Sequence, residues 1–206
     1  MTRQRCMLIA RRRDTIRATS PFNMAAFGKF KMSVCMPPDT FWCAPAEVVS
    51  EKRRKIAAAC GAPSASEVRA KDWVQGDFRR LVNHAQNCMH DSRDCLPHGT
   101  VDPKQSERFG TSKRTVLSAF QTTSHPYSFD HQRSMLPAEC LVAMGVDLYN
   151  MSSQPYPGAA FLKSLPEGSQ MRMAGNTIHG TVMFAVLLVM FSVSAYGAES
   201  DSDSSD

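Results

Sequence analysis

Apolar residues recur at helical spacing in three parts of the chain. The first helix is predicted to begin at Pro45 and to end at Gly61, because proline suits a first helical turn and glycine suits the position after the last one. A second helix is predicted over residues 66–85, with adjacent apolar stripes that face a core. A third is predicted to begin at Pro137 and to end at Gly145. The stripes of the second helix include Trp73, Phe78, Leu81, Val82 and Ala85.

Strands are predicted where apolar or β-branched residues form short runs. Such runs occur at residues 6–10 and 115–120, and residues 126–129 are predicted to form a turn or a further strand. Loops are predicted where no clean period appears, at residues 18–44, 86–113 and 150–170.

The last apolar segment has two interpretations. No Asp, Glu, Lys or Arg occurs from residue 173 to residue 198, which is long enough for a helix to cross a bilayer. The segment nevertheless contains Gly175 and Asn176, small and polar residues that suit the wall of a ligand pocket, and Thr, Ser and His interrupt it further on. We predict a helix over residues 176–196 and favour a pocket helix over a membrane anchor.

Charge is distributed unevenly along the 206 residues, which carry a net charge of +5. Residues 1–60 hold twelve Lys and Arg against four Asp and Glu, whereas residues 131–206 hold three against seven. The basic first part predicts an anionic partner such as nucleic acid, with a merely solvated face as the alternative. The seven cysteines follow no repeating frame, which favours reduced thiols in a cytosolic or nuclear protein.

A cluster of potential metal ligands occurs in the sequence HAQNCMHDSRDCLPH. Four of its side chains could surround Zn²⁺ tetrahedrally, but the cluster lacks a paired C-x-x-C, and a polar loop can collect such residues by chance. We therefore assign no metal site. The chain also lacks glycines at G-x-G spacing and a nucleophile elbow, so it shows no complete active site of its own. The potential ligands are His84, Cys88, His90, Cys95 and His98.

Two segments carry a resemblance to a known family. In RSMLPAECLVAMGVD, Arg133 is followed six residues later by Glu139 and then by an apolar helix that ends at Gly145. After an intervening loop, MAGNTIHGTVMFAVLL supplies Gly175 and Asn176 before an apolar run. In this order, the two segments resemble the last two motifs of the cytosine-5 DNA methyltransferases. TRQRCMLIA, near the start, resembles that family's arginine-x-arginine motif followed by a buried strand.

The resemblance implies an α/β fold, namely the C-terminal segment of an S-adenosylmethionine-dependent methyltransferase with an incomplete sheet and a mixed α+β recognition region. It divides the chain into a strand at residues 1–10, a target-recognition-like region at 11–130, the C-terminal motifs at 131–196 and a disordered acidic tail at 197–206.

The resemblance also implies roles for particular residues. Gly175 and Asn176 would line the S-adenosylmethionine pocket, with Asn176 capping the helix that follows. Arg133 and Glu139 would pair to fix the motif's helix, without a catalytic role. Contacts with DNA phosphates, which are independent of sequence and sensitive to salt, are predicted for Arg3, Arg5, Arg11, Arg12 and Arg13.

The chain departs from the family in three motifs. The Phe-x-Gly-x-Gly cofactor loop, the Pro-Cys nucleophile loop and the Glu-Asn-Val motif are absent, and Cys43 precedes Ala-Pro, so it is not a candidate nucleophile. We therefore expect a nuclear fragment that contributes DNA recognition and part of the cofactor pocket and is inactive alone. It is a truncated gene product, a gene-model fragment or one half of a split enzyme whose separate N-terminal half is catalytic. The alternative is a tail-anchored membrane protein with a basic binding module on the cytosolic side.

Overall fold

A computed structural model describes residues 16–18, 37–92, 96–106, 117, 120–149, 157–176, 187 and 194–196. The chain divides into two compact units. One comprises Met1–Thr2 and Val34–Ile178, and the other comprises Arg3–Ser33 and His179–Asp206. The described part is mixed α+β.

The helices and strands of the larger unit are short. Its α-helices are α1 (Ala46–Cys60), α2 (Ala70–Val74), α3 (Phe78–Ser92), α4 (Pro137–Ala143), α5 (Ala159–Ser164) and α6 (Glu167–Asn176). Short 3-10 helices occur at Pro38–Phe41, Ala65–Glu67 and Gln75–Asp77. The smaller unit contains β1 (Ile16–Ala18) and β5 (Ser194–Tyr196), and the larger contains β2 (Thr100–Val101), β3 (Tyr127–Ser128) and β4 (Arg133–Ser134).

The first and third predicted helices are confirmed. Helix α1 follows Pro45 and ends before Gly61, whose φ of 71° is the left-handed conformation that favours glycine after a helix. Helix α4 begins at Pro137 and is followed by Gly145 at φ 91°. The local proline and glycine signals were therefore sufficient to place both ends of these two helices.

The second predicted helix is broken, and the prediction of one continuous element is wrong. Gln75 has a φ of 45°, which no helix interior accommodates, so α2 ends at Val74 and α3 starts in a new phase at Phe78. As a result Phe78 and Val82 are 40% and 37% exposed, although the sequence predicted that they face the core. Helix α3 also continues to Ser92, through the first part of a predicted loop.

A three-stranded antiparallel sheet has the order β2-β3-β4. Thr100 pairs with Ser128, and Ser128 pairs with Arg133. Strand β3 lies within residues 126–129, where a turn or a further strand was predicted. In the predicted strand at residues 115–120, the described Leu117 and Phe120 are not in a strand, and the other four positions lie outside the described residues.

Two hydrophobic clusters form the core of the larger unit. The first joins α4, α5 and α6 to Trp42 and Phe120, and contains the fully buried Leu148 and Ala174. Helix α6 packs directly against α4. The second cluster lies around the sheet and α3 and contains Trp73, Val74, Leu81, Val101, Tyr127 and Leu136.

The C-terminal region differs from its prediction in three ways. Helix α5 and the first turn of α6 occupy residues predicted to be loop, and α6 ends at Asn176, where a helix was predicted to begin. Ser194–Tyr196 is a strand that pairs antiparallel with β1, so the predicted helical end at residue 196 is also wrong. Most of the intervening residues and the predicted strand at residues 6–10 lie outside the described residues. None of the helices that are described has the length and apolarity needed to span a bilayer.

Candidate functional site

The main candidate site is built around a buried ion pair between Arg133 and Glu139. Strand β4 supplies the arginine and the first turn of α4 supplies the glutamate; the two residues are 5% and 0% exposed. Arg133 Nη1 donates to Glu139 Oε2 at 2.7 Å, and Nη2 donates to Oε1 at 2.7 Å. This bidentate geometry suits the planar guanidinium group. The resemblance implies that these two side chains pair, and the structure contains this contact.

Two backbone amides complete the hydrogen bonding of the carboxylate. Leu136 N, at the start of α4, donates to Glu139 Oε2 at 2.8 Å. Ala44 N, which precedes α1, donates to Oε1 at 2.9 Å. These four donors offset the free-energy cost of removing the Glu139 carboxylate from water. The carboxylate therefore joins three chain segments, and its saturated oxygens suit a structural role rather than proton transfer.

An aromatic and charged layer extends from this pair toward the surface. The guanidinium carbon of Arg133 lies 4.8 Å from the centroid of the Trp42 ring, a cation–π contact. The His131 ring stacks on Trp42 at a centroid distance of 5.2 Å, and His131 Nε2 lies 3.4 Å from Asp39 Oδ1. Residues 37–45 contain only a short 3-10 helix, so no helical or strand periodicity in the sequence marks this layer.

Cys43 lies close to the ion pair and is half-buried. Burial and, secondarily, the negative charge of Glu139 raise the pKa of the Cys43 thiol from 9.0 to about 11. The thiol is consequently protonated at neutral pH, whereas a nucleophilic cysteine reacts as the thiolate. This electrostatic environment supports leaving Cys43 out of the candidate nucleophiles.

Gly175 lies in the last turn of α6 and allows a close approach of backbone. A Cβ atom at this position would overlap the backbone of Gln121 and Thr122, with the Gln121 carbonyl oxygen only 2.6 Å away. The group that lies against Gly175 is therefore the chain's own backbone. Asn176 is exposed at the end of the helix. Because a helix ends here, Asn176 does not cap the beginning of one.

The predicted phosphate-binding arginines cannot be placed in the site. All five lie outside the described residues: Arg3, Arg5, Arg11, Arg12 and Arg13.

The histidines and cysteines of the proposed zinc cluster have other contacts. Cys88 Sγ accepts from the backbone N–H of His98 at 3.5 Å, and the His98 ring lies 3.1 Å from Asp130 Oδ1. His84 is 1% exposed and its Nε2 lies 3.4 Å from the backbone oxygen of Gln105. These contacts tie the end of α3 to the loops around the sheet.

A metal site has no support in the described part of the chain. Among those residues, no three His, Cys, Asp or Glu side chains converge as metal ligands. His90 is exposed on α3, and Cys95 lies outside the described residues.

A buried carboxylate at Asp102 was missed in the sequence. Asp102 is 3% exposed and accepts from the backbone N–H groups of Lys104 at 3.0 Å and His125 at 3.1 Å. Burial lowers the pKa of His125, and the charge of Asp102 partly opposes this effect. The Asp-Pro dipeptide at residues 102–103 was a turn signal that could have identified the position.

An open cavity of about 290 Å³ lies beside α1 and α2. Apolar and polar side chains line it together: Ile56, Ala59, Cys60, Lys71, Asp72 and Gln75. The lining shares no residue with the Arg133–Glu139 site.

Comparison with known proteins found no matching family model, curated protein or solved structure. The described site is therefore interpreted from its own geometry. It consists of a saturated buried ion pair, a protonated thiol and a glycine in contact with backbone, an arrangement that organises a domain and carries no nucleophile activated by a base.

Proposed function

We propose that the chain is the C-terminal part of a cytosine-5 DNA methyltransferase-like protein and that it is inactive alone. It contributes DNA recognition and one wall of an S-adenosylmethionine pocket, acts in the nucleus, and works with a separate N-terminal half that carries the catalytic loops. The observation that carries this proposal is the packing of α6 against α4. This contact places the end of α6, which carries the Gly175–Asn176 pair of the second motif, beside the helix of the first motif.

The pairing of Arg133 with Glu139 supports the same proposal. A buried, bidentate ion pair six residues apart needs a defined backbone between its members, and β4 followed by the turn into α4 provides it. The resemblance implies this structural role. The pair fixes β4 against the start of α4 within the first motif.

The residues that the resemblance assigns to the cofactor fit that role in part. The space beside Gly175 is filled by backbone of Gln121 and Thr122, so this glycine does not itself offer a ligand cradle. Asn176 is exposed, and its amide can both donate and accept hydrogen bonds. When bound, S-adenosylmethionine would supply the methyl group, and Asn176 would contribute to holding it.

DNA binding by the full chain tests the recognition part of the proposal. Fluorescence anisotropy with a labelled duplex at low salt should show binding that is micromolar or weaker, on the order of non-specific contacts, and that weakens steeply as salt rises. An absence of binding at low salt contradicts the proposal.

Two further measurements test the fragment and the membrane alternative. Labelled S-adenosylmethionine incubated with the chain and duplex DNA should leave the DNA unlabelled; incorporation above a boiled control would show that the chain is a complete enzyme. In cell fractionation, carbonate treatment should release any of the chain that sediments with membranes. Carbonate-resistant residence that depends on residues 182–193 would favour the tail anchor instead.

A further inference from the structure

Helix α3 has one face in the core and an opposite face made of polar side chains. Its buried residues are Leu81, His84 and Cys88, which are 3%, 1% and 8% exposed. Because a helix turns 100° per residue, these three positions share one side. Arg79, Asn83, Gln86 and His90 lie on the opposite side, and Arg80 and Asn87 lie at its edge, next to the buried stripe. That outward face, here called the α3 polar face, consists of Arg79, Arg80, Asn83, Gln86, Asn87 and His90.

We propose that the α3 polar face enters the major groove of duplex DNA. This inference rests on the proposed function, since it assigns the DNA contact of that function to a particular helix. It concerns residues other than the arginines near the start of the chain.

The side chains of the face are those that recognise base edges. Asn and Gln pair bidentately with adenine, and Arg pairs bidentately with guanine, in the major groove. Gln86 and Asn87 are exposed, as are both arginines. The six positions include no carboxylate, which would repel the phosphate backbone.

The charge of the two arginines is available to a partner. Neither Arg79 nor Arg80 forms an ion pair with any described residue, whereas the exposed Arg54 of α1 is paired to Glu51 at 2.7 Å. Exposed guanidinium groups on a helix surface favour a polyanion, because phosphate contacts release condensed counterions. Charge complementarity thus selects nucleic acid as the occupant of this face.

The dimensions of α3 favour B-form DNA. Its 15 residues span about 22 Å at 1.5 Å per residue. The major groove of B-DNA, about 12 Å wide, admits an α-helix, whereas the deep and narrow major groove of A-form RNA does not. The exposed Phe78 and Val82 flank the face and can contact thymine methyl groups.

Anisotropy titrations of the full chain test the phosphate contacts. The double variant Arg79→Ala/Arg80→Ala should bind a labelled 30-base-pair duplex about tenfold more weakly and reduce the salt slope by about two, one for each lost phosphate contact. The matched control is Lys71→Ala/Arg172→Ala, which removes the same charge from exposed positions on α2 and α6. Thermal unfolding should be unchanged in both variants, because all four residues are exposed.

Base recognition is tested separately with Gln86→Ala/Asn87→Ala. Selection from a pool of random duplexes should enrich a sequence with the wild-type chain and enrich none with this variant, while its binding to unselected DNA stays within about twofold, because phosphate contacts remain. Double-stranded RNA and single-stranded DNA of equal length should bind more weakly than duplex DNA.

The outcomes separate this inference from the proposed function. If the wild-type chain binds no duplex at low salt, the proposed function and the inference both fail. If the chain binds DNA, but loss of Arg79 and Arg80 weakens binding no more than the control does, only the inference fails, and DNA contact belongs to other arginines. Equal binding of double-stranded RNA, or enrichment that persists without Gln86 and Asn87, also overturns the inference.

Discussion

Two groups of charged side chains in this protein have similar contact distances and opposite surroundings. In the interior, Arg133 and Glu139 meet at 2.7 Å with side chains 6% and 0% exposed. On the surface of α1, Glu51 lies 2.7 Å from Arg54 and 3.7 Å from Lys55, and these three side chains are between 46% and 69% exposed. The comparison shows that distance alone says little about energetic importance. Burial and the number of additional hydrogen bonds separate the two groups.

The physical reason is the cost of desolvation. An exposed ion pair replaces interactions with water by a weak attraction, so it contributes only about 0–1 kcal/mol to the free energy of unfolding. In the interior, removing one partner leaves the other charge buried without compensation, which costs about 3–5 kcal/mol. Losing one charge of the interior pair should therefore destabilise the fold more than replacing both charged side chains together.

The largest effect is expected for Glu139→Gln. This change keeps the size of the side chain but leaves the charge of Arg133 unpaired, so the free energy of unfolding should fall by about 3–5 kcal/mol. Urea unfolding followed by circular dichroism measures the loss, with Glu51→Gln as the matched surface control. A loss below about 1 kcal/mol would place the interior pair in the same class as the surface pair.

A double-mutant cycle sharpens this result. Arg133→Met should be strongly destabilising alone, because the Glu139 carboxylate then keeps only its two backbone donors. Combining Arg133→Met with Glu139→Gln removes both charges, so the double variant should be more stable than either single variant, with a coupling energy above about 1 kcal/mol. Additive losses in the cycle would show that the two charges do not depend on each other.

Cys43 provides a smaller, pH-dependent measure of the interior environment. Its pKa is raised from 9.0 to about 11 in the folded chain, so folding favours the neutral thiol. This contribution to stability is complete below pH 9, and it declines as pH rises through 9 toward 11, because the unfolded chain releases the proton first. Unfolding midpoints between pH 8 and 11 should therefore fall more steeply for the wild type than for Cys43→Ala. Parallel pH profiles would contradict the assigned environment.

The smallest effect is expected for Glu51→Ala on α1. Its two exposed ion pairs should together contribute only about 0.3–0.5 kcal/mol, and added salt should reduce that value further. Thermal melts of the wild type and this variant at low and high salt provide the comparison. A salt-independent loss above 1 kcal/mol would show that the surface pairs contribute as interior ones do.

Features determined by neighbouring residues were predictable from the sequence. Pro45 and Gly61 delimit α1, and Pro137 and Gly145 delimit α4, because each residue favours a conformation on its own. The Arg133–Glu139 contact, which the resemblance implied, also spans only six residues. The confirmed predictions are thus those for which the determining interactions lie within one or two helical turns.

Features determined by distant residues were not predictable. The backbone approach to Gly175 comes from Gln121 and Thr122, and the fourth donor to Glu139 comes from Ala44. The break at Gln75 was missed because a glutamine carries no sequence signal for a positive φ. That break then shifted the phase of α3 and exposed Phe78.

The hydrogen bonds of Glu139 also have a consequence for the order of folding events. Its bonds to Arg133 and Leu136 close loops of six and three residues, whereas its bond to Ala44 closes a loop of 95. The entropy cost of closure grows with the logarithm of loop length, and distant contacts form more slowly than local ones. The turn from β4 into α4 should therefore form first, with its carboxylate already held by the arginine. The segment before α1 then binds to the Glu139 carboxylate, which is already in position. This slower step should limit the rate at which that segment packs against the rest of the larger unit.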